Sequence, residues 1–427
     1  MPKPGVPGGL AVVILAAGKG TRLKSDMPKA LHPICGEPML GLLLEKAEAL
    51  GARKIFVVAG HKIEAVRRFS ARRAEVVRQK ALLGSGHAVN QTAGKLSKFS
   101  GSVLVLYCDT PLISAETMRA LLENHRGHST DCSVLSVVLK DPSGYGRVKR
   151  DGRGLVEKIV EDRDASPEEK AIREINTGCY VFRSKKLFEA LRSVRRNPGK
   201  NEYYLTDVIE ILAGRGRVES LVAEKNEEAL GVNTRRDLAA LESIMQKDIL
   251  ERLMESGVTI RNPRTVTIDA DVKIGPDTVI YPNTVIEEGA VIGRDCRIGP
   301  FAHIRGGSKI GDGCVVGNFV EVVRSMVGKG SLIKHLSYVG DAQVGAAVNI
   351  GAGTITANFD GKKKHKTVIK DKAQIGSGTV LVAPVTVGRG AKTGAGAVVT
   401  ARRDVPDGAV VVGIPARISQ AKGKRKA

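Results

Sequence analysis

A short apolar strand, Val12-Val13-Ile14-Leu15, runs directly into Ala16-Ala17-Gly18-Lys19-Gly20-Thr21-Arg22, with Lys29 close behind. Small residues let backbone N–H groups approach a polyphosphate, and Arg22 and Lys29 supply positive charge where negative charge builds during phosphoryl transfer. A glycine-rich turn after a strand is shared by many unrelated nucleotide-binding sheets, so the loop alone names no substrate. Asp109 closes a second apolar run, Val103 to Tyr107, where a carboxylate either faces a ligand or caps a turn. Far along the chain His335 is a side chain that titrates near neutral pH, as a general base must, although a lone histidine is most often a surface residue.

These residues need elements to hold them. In the first half, Leu42 to Leu50 reads as a helix, Lys54 to Val58 as a strand, Ile63 to Phe69 as a helix and Val103 to Tyr107 as a buried strand. The alternation predicts a Rossmann-like α/β domain with a mostly parallel sheet, whose ligands bind beyond the carboxyl ends of the strands, where Gly18 and Asp109 fall.

The second half follows a different rule. From Ile274 an aliphatic residue recurs at every sixth position through Val322; the register slips by one to Val327, Ile333 and Val339, slips again to Val344 and Ile350, and after an interruption resumes at Ile369, Ile375, Leu381 and Val387. This period fits neither a helix nor a simple alternating strand, but it fits short strands wound into a parallel β-helix with the aliphatics inside. Glycine follows many of them, as in Ile310-Gly311, and is expected to help make the corners. Thr234 to Ser256 carries Leu238, Leu241, Met245, Ile249 and Leu253 on one face, the pattern of a connecting helix. The expected layout is a nucleotide-binding domain over 1–233, a linker helix over 234–257 and a β-helix over 258–427 ending in a basic tail.

Composition narrows the partners. No segment reaches the roughly 18 continuous apolar residues of a membrane span, and no charged-then-apolar leader opens the sequence. Six scattered cysteines without metal-like pairing point to reduced thiols and a cytoplasmic location. The net charge is +22, yet basic residues are spread over both halves with few interleaved aromatics, which argues against nucleic acid and for polyanionic small substrates beside a basic solvated surface.

The glycine loop together with Ser25-Asp26-Met27-Pro28-Lys29-Ala30-Leu31 resembles the signature of sugar-nucleotide pyrophosphorylases. Joined to the six-residue repeat, the whole chain resembles the bifunctional N-acetylglucosamine-1-phosphate uridyltransferase/glucosamine-1-phosphate acetyltransferase family, whose repeats form a left-handed β-helix. The resemblance implies that UTP and the sugar nucleotide contact Leu15, Ala16, Ala17, Gly18, Lys29, Gln79, Gly84, Ser85, Tyr107 and Asp109, with Gln79 and Gly84-Ser85 reading uracil. It assigns the sugar to Gly146, Glu161 and Asn176, Mg²⁺ to Asp109 and Asn233, and charge neutralisation in catalysis to Arg22 and Lys29. In the second domain it implies His335 as base, Arg305, Glu321, Tyr338 and Asn349 for glucosamine-1-phosphate, and Ala352, Asn358, Phe359, Ser377 and Ala395 for acetyl-CoA, with Glu321 able to orient the imidazole. It also implies a homotrimer with the acetyl site at the subunit junction.

Among the departures are Cys108 where the family has glycine, Gly306 for proline, Phe359 for tyrosine, and Val323 for a phosphate-binding lysine. At Val323 either Arg324 swings over, or Arg305 alone holds the sugar phosphate, or the second site accepts a different amine; rescue by a cation is the favoured expectation. Two readings compete with the full one. One is a nucleotidyltransferase whose β-helix serves only assembly or regulation; the other is a nucleic-acid-associated scaffold.

Overall fold

The computed structural model describes residues 9–197, 199 and 201–419; the lysine-rich tail, Lys422 to Lys426, lies outside them. The chain divides into two compact units, meeting in sequence between Ile244 and Met245, with Cys35–Glu37 counted in the second.

In the first unit the strand order is Val218–Val222, Cys132–Val138, Glu174–Arg183, Ser102–Tyr107, Leu10–Leu15, Lys54–Ala59, Glu75–Arg78. All neighbours on this path are parallel except those of Glu174–Arg183, which is antiparallel to both. Leu10–Leu15 is wholly buried because it is covered on both faces, which is why it is apolar without alternation. From this central strand the chain moves to Lys54–Ala59 on one side and later to Ser102–Tyr107 on the other. That reversal opens a crevice at the carboxyl ends. Cys108 N–H donates to the Leu15 carbonyl (3.1 Å), so the glycine loop and Asp109 leave the sheet side by side.

The sequence-predicted strands and helices are present with small shifts: Leu42–Leu50 is a helix over Met39–Ala49, and Ile63–Phe69 runs over Ile63–Ser70. The linker helix spans Arg235–Glu255, begun by Thr234, whose hydroxyl accepts from Asp237 N–H (3.2 Å) while the Asp237 carboxylate accepts from Thr234 N–H (2.8 Å).

The second unit is a left-handed parallel β-helix with three faces. Val279 pairs with Arg297 and Arg297 with Val315, one coil per eighteen residues. Each one-residue slip in the aliphatic period shortens a coil to seventeen: Val315 pairs with Leu332, and Leu332 with Asn349. The interruption is a hairpin excursion that lengthens one coil to twenty-five, Asn349 to Gln374, with Phe359 bridged to Lys364. Of the six-residue aliphatics, every one after Ile274 is buried, and Ile274 in the first coils is half-buried.

Glycine plays two parts where one was expected. Gly311, directly after Ile310, is not in the left-handed region; a Cβ there would come 2.9 Å from Lys329 N, so it is small because the next coil lies against it. The corner is made two residues on, by Gly313 at φ 67°.

Candidate functional site

The crevice of the first unit holds a cavity of about 320 Å³ lined by Leu15, Ala16, Ala17 and Gly18 from the loop, Gln79, Gly84 and Ser85 from the segment before the helix Ser85–Asn90, and Tyr107 and Asp109 from the neighbouring strand end. Gly18 has open space where a Cβ would point, so its backbone is accessible to a ligand. Gly20 (φ 62°) is needed differently: a Cβ would come 2.8 Å from Lys29 Cβ, and its absence lets Lys29 cross the loop. The Lys29 ammonium donates to Asp109 Oδ2 (2.6 Å) and to Asn233 Oδ1 (3.1 Å), while Arg22 also donates to Asn233 Oδ1 (2.7 Å). The Gly-Val-Asn turn is pinned beside Asp109 by Val232 N–H donating to the Asp109 carbonyl (2.8 Å).

Two hard oxygens, one from Asp109 and one from Asn233, therefore converge on a single cation, the lysine. That donor set suits Mg²⁺, which takes few protein ligands and fills its octahedron from substrate phosphates and water. Among the described residues no cluster of three or more His, Cys, Asp or Glu could hold a metal, so softer sites of higher ligand count are not built here. Cys108, the departure beside Asp109, is buried and its thiol is pushed up by that burial; it occupies the strand end without displacing Asp109.

The residues expected to hold the sugar gather at the strands Arg147–Arg150, Val156–Val160 and Glu174–Arg183. Gly146 and Glu161 flank the hairpin Arg147–Arg150 and Val156–Val160, and Gly146 accepts from Asn176 N–H (2.8 Å). Asn176 lies where the register of Glu174–Arg183 shifts against its neighbour; the bulge carries Gly178 (φ 82°), over which the Tyr107 ring lies. Asn176 is anchored by donating to Tyr180 Oη (2.6 Å). Burial pushes the Tyr107 phenol up, so it stays protonated, with Ser85 as partner.

In the second unit, three of the residues assigned to acetyl-CoA form a column with His335. His335, Ala352, Ser377 and Ala395 occupy one position on successive coils, stepped by Gly353 N–H to Leu336 O (2.7 Å), Gly378 N–H to Ala352 O (2.7 Å) and Gly396 N–H to Ser377 O (2.8 Å). Below them Asn318 pairs with His335. The next position on each coil turns the corner in the left-handed region: Phe301, Phe319 and Leu336, then Gly353, Gly378 and Gly396. The three large members are exposed, and Phe301 stacks on Phe319 at 5.0 Å.

Three expectations for this unit change. Glu321 does not meet the imidazole within the chain; it pairs in register with His303 and Tyr338 and takes an ion pair from Arg305 (3.3 Å), because its strand position lies beyond the corner from His335. Asn358 is buried, donating to Asp341, instead of lining an open acetyl-CoA surface, whereas Phe359 beside it is exposed. Arg324 is not free to replace the missing lysine: Asp341 holds it in a bidentate pair at 2.8 and 2.8 Å. Val323 is 2% exposed, with Tyr338 close by over Gly340, its register partner. Gly306, in place of proline, keeps an N–H that donates to Glu287 (3.2 Å), and Glu287 also receives His303 (2.7 Å) and Arg305 (3.7 Å).

Sequence reasoning missed Leu82 and Ala88 in the first cavity, although the block Glu202-Tyr203-Tyr204-Leu205-Thr206-Asp207 was expected to shape that pocket and reaches it through Glu202, and it missed Glu287, His303 and Asp341 in the second unit. The coil spacing was the available signal for the latter, since stepping by one coil from Arg305 and Glu321 reaches Glu287, His303 and Tyr338. Nothing local marks Leu82.

A nucleotide cavity at a sheet reversal, followed by a three-faced hexapeptide helix with a histidine column, defines a sugar nucleotidyltransferase joined to an acyltransferase. The family described as MobA-like NTP transferase domain matches residues 12–208, and the bacterial transferase hexapeptide family (six repeats) matches 289–324 and 366–401. The bifunctional protein GlmU of Geobacillus sp. (strain WCH70) is 47% identical, covering 94% of each chain, and that of Pelotomaculum thermopropionicum is 47% identical over 88% of this chain and 90% of its own. A crystal structure of UDP-glucose pyrophosphorylase complexed with UDP-glucose aligns with TM-score 0.47 at 17% identity, over 56% of this chain and 98% of that one. The chain belongs to the GlmU family of bifunctional proteins. It is a UDP-N-acetylglucosamine diphosphorylase and a glucosamine-1-phosphate N-acetyltransferase.

Proposed function

We propose that the two reactions are divided as the two units suggest: residues 258–427 acetylate glucosamine-1-phosphate from acetyl-CoA, and residues 1–233, joined through the helix over 234–257, transfer uridylyl from UTP to the product. The observation that carries the first-unit reading is the convergence of Asp109, Asn233, Lys29 and Arg22 on one point beside the glycine loop. There an oxygen of the N-acetylglucosamine-1-phosphate phosphate attacks the α-phosphorus of UTP in line, and the bond to pyrophosphate breaks. The attacking phosphate is already ionised, so no general base is required and the protein's task is alignment and charge neutralisation. Mg²⁺, bound by Asp109 and Asn233, would neutralise phosphate charge. Lys29 then turns from Asp109 toward phosphate, with Arg22 beside it. Gln79, Gly84 and Ser85 hold uracil, and Gly146, Glu161 and Asn176 the sugar.

In the second unit His335 accepts the proton from the attacking amine as nitrogen bonds to the thioester carbonyl carbon and the CoA thiolate leaves. Ala352, Ser377 and Ala395 guide the acyl carrier up the column, and the Ser377 hydroxyl or Ala352 amide steadies the oxyanion. Arg305, Tyr338 and Asn349 hold the sugar phosphate. The exposed Phe301, Phe319 and Leu336 ladder supports a homotrimer, in which a neighbouring chain covers the apolar corner and closes the site. No helix among the described residues is long and apolar enough to cross a membrane. All six cysteines are buried and none is in a disulfide, which supports a reducing cytoplasmic setting.

The test is reciprocal. Asp109→Ala is expected to abolish UDP-sugar formation, by about a thousandfold or more, with acetyl transfer intact, and His335→Ala to do the reverse. Loss of both activities in either variant would reject the division of labour.

A further inference from the structure

His87 is a partly buried side chain that the mechanism does not use, lying one helical turn from the nucleotide cavity. Its Nδ1 is 3.0 Å from Gln79 Nε2, and the same Nε2 donates to the Gly84 carbonyl at 3.1 Å. A carbonyl can only accept, so the atom facing Gly84 must be the amide nitrogen, which fixes the Gln79 side chain. Its second hydrogen then points at His87, whose Nδ1 must carry the lone pair. On the other side, Gln91 Nε2 is 3.1 Å from His87 Nε2 and also donates to the His87 carbonyl at 3.1 Å. A neutral imidazole accepts at one nitrogen only, so the two glutamines compete. Gln79 is 4% exposed and Gln91 is partly open to water, so the buried amide takes the lone pair, while Gln91, whose amide nitrogen is fixed by the His87 carbonyl, turns its second hydrogen to water and away from Nε2–H.

We infer that His87 is a positioning residue for base selection: held as the Nε2–H tautomer, it occupies the last Gln79 N–H and leaves Gln79 Oε1 as the group presented to the nucleobase. This rests on the reading of Gln79 as the uracil contact. Uracil offers an N3–H to an acceptor, whereas cytosine offers a lone pair at N3, so an oxygen here favours UTP over CTP. Thymine shares the uracil edge, and the relay does not separate the two. A protonated ring would present donors to both glutamines; burial lowers the His87 pKa and keeps the ring neutral. Tyr203, whose ring stacks on His87 at 6.5 Å, and Arg192, which lines the same hollow, provide no carboxylate that would favour the charged form.

The experiment measures kcat/KM for UTP and CTP with N-acetylglucosamine-1-phosphate. His87→Leu removes the acceptor, frees Gln79 to rotate, and is expected to lower the UTP/CTP ratio about tenfold, the worth of one hydrogen bond. His87→Asn, whose oxygen can accept the same N–H, is expected to restore most of the ratio. A structural role alone would lower both substrates together. Gln79→Ala separates the two failures: if it collapses the ratio while His87→Leu leaves it unchanged, the relay is wrong and the uracil contact stands. If Gln79→Ala leaves the ratio unchanged, the contact falls and the relay with it.

Discussion

The two units build their sites in opposite ways. In the first, residues far apart in sequence, such as Lys29, Asp109 and Asn233, are drawn onto one point by a sheet reversal, and each polar group has its partner inside the unit. In the second, the positions proposed to act recur at the coil period along one exposed corner. His335 has no hydrogen bond to its ring among the described residues of this chain, and large apolar side chains stand uncovered next to it. A crevice can complete itself within one chain. A column on a convex solenoid needs a second surface to exclude water and hold a substrate.

The strongest way to break this contrast is to spoil the uncovered corner. Phe319→Asp puts a charge on the stacked pair, and is expected to reduce the proposed trimer to smaller species by light scattering and to lower acetyl transfer at least about tenfold, with uridylyl transfer unchanged. A variant that stays trimeric and fully active, or a wild-type chain that scatters as a monomer, would mean that the column works unaided.

A smaller effect sharpens the comparison at Val323. In the first site two cations, Lys29 and Arg22, are set against one carboxylate, Asp109, and the neutral Asn233 oxygen, while in the second Arg324 is neutralised by Asp341, and Arg305 is shared between Glu287 and Glu321. Val323→Lys should therefore lower KM for glucosamine-1-phosphate by about tenfold with kcat little changed, the gain of one charge-assisted contact. An unchanged KM would show that Arg305 or a neighbouring chain already fills that role.

The same contrast explains what could be read in the sequence. The β-helix was legible almost residue by residue, because a strict period maps one position in sequence to one in space; even the two slips reappear as the seventeen-residue coils. The Rossmann-like sheet was legible as a class, and Gly18 and Asp109 fell where strand ends put them. What was not legible depends on side-chain competition. No spacing says that Arg324 will turn to Asp341, that Asn358 will be drawn inward by the same carboxylate, or that Glu321 will take Arg305 instead of facing His335. The Glu202 to Asp207 block was expected at the first cavity, and packing of the chain around Tyr203 against Gly84 decides that Glu202 is the member that lines it.

The smallest predicted effect concerns the acidic group behind the first cavity. Asp207 is half-buried at the start of the helix Thr206–Ala213, and burial, then Glu210, Glu161 and Asp164, raise its carboxyl to about 6. The folded chain thus holds a proton that the unfolded chain has lost between about pH 4 and 6, so stability falls as pH rises through that window and the deficit persists above it. Asp207→Asn removes the charge and keeps the shape. The variant should therefore melt about 2–4 °C above the wild type at pH 8 and show little advantage at pH 4, as measured by calorimetry of the first unit's transition. Since the raised carboxyl depends partly on Glu161, a proposed sugar contact, UDP-N-acetylglucosamine bound there should alter the difference between the two proteins at pH 8. An advantage equal at both pH values would show that the substitution acts through packing, and that this carboxylate carries no strain for the sugar site.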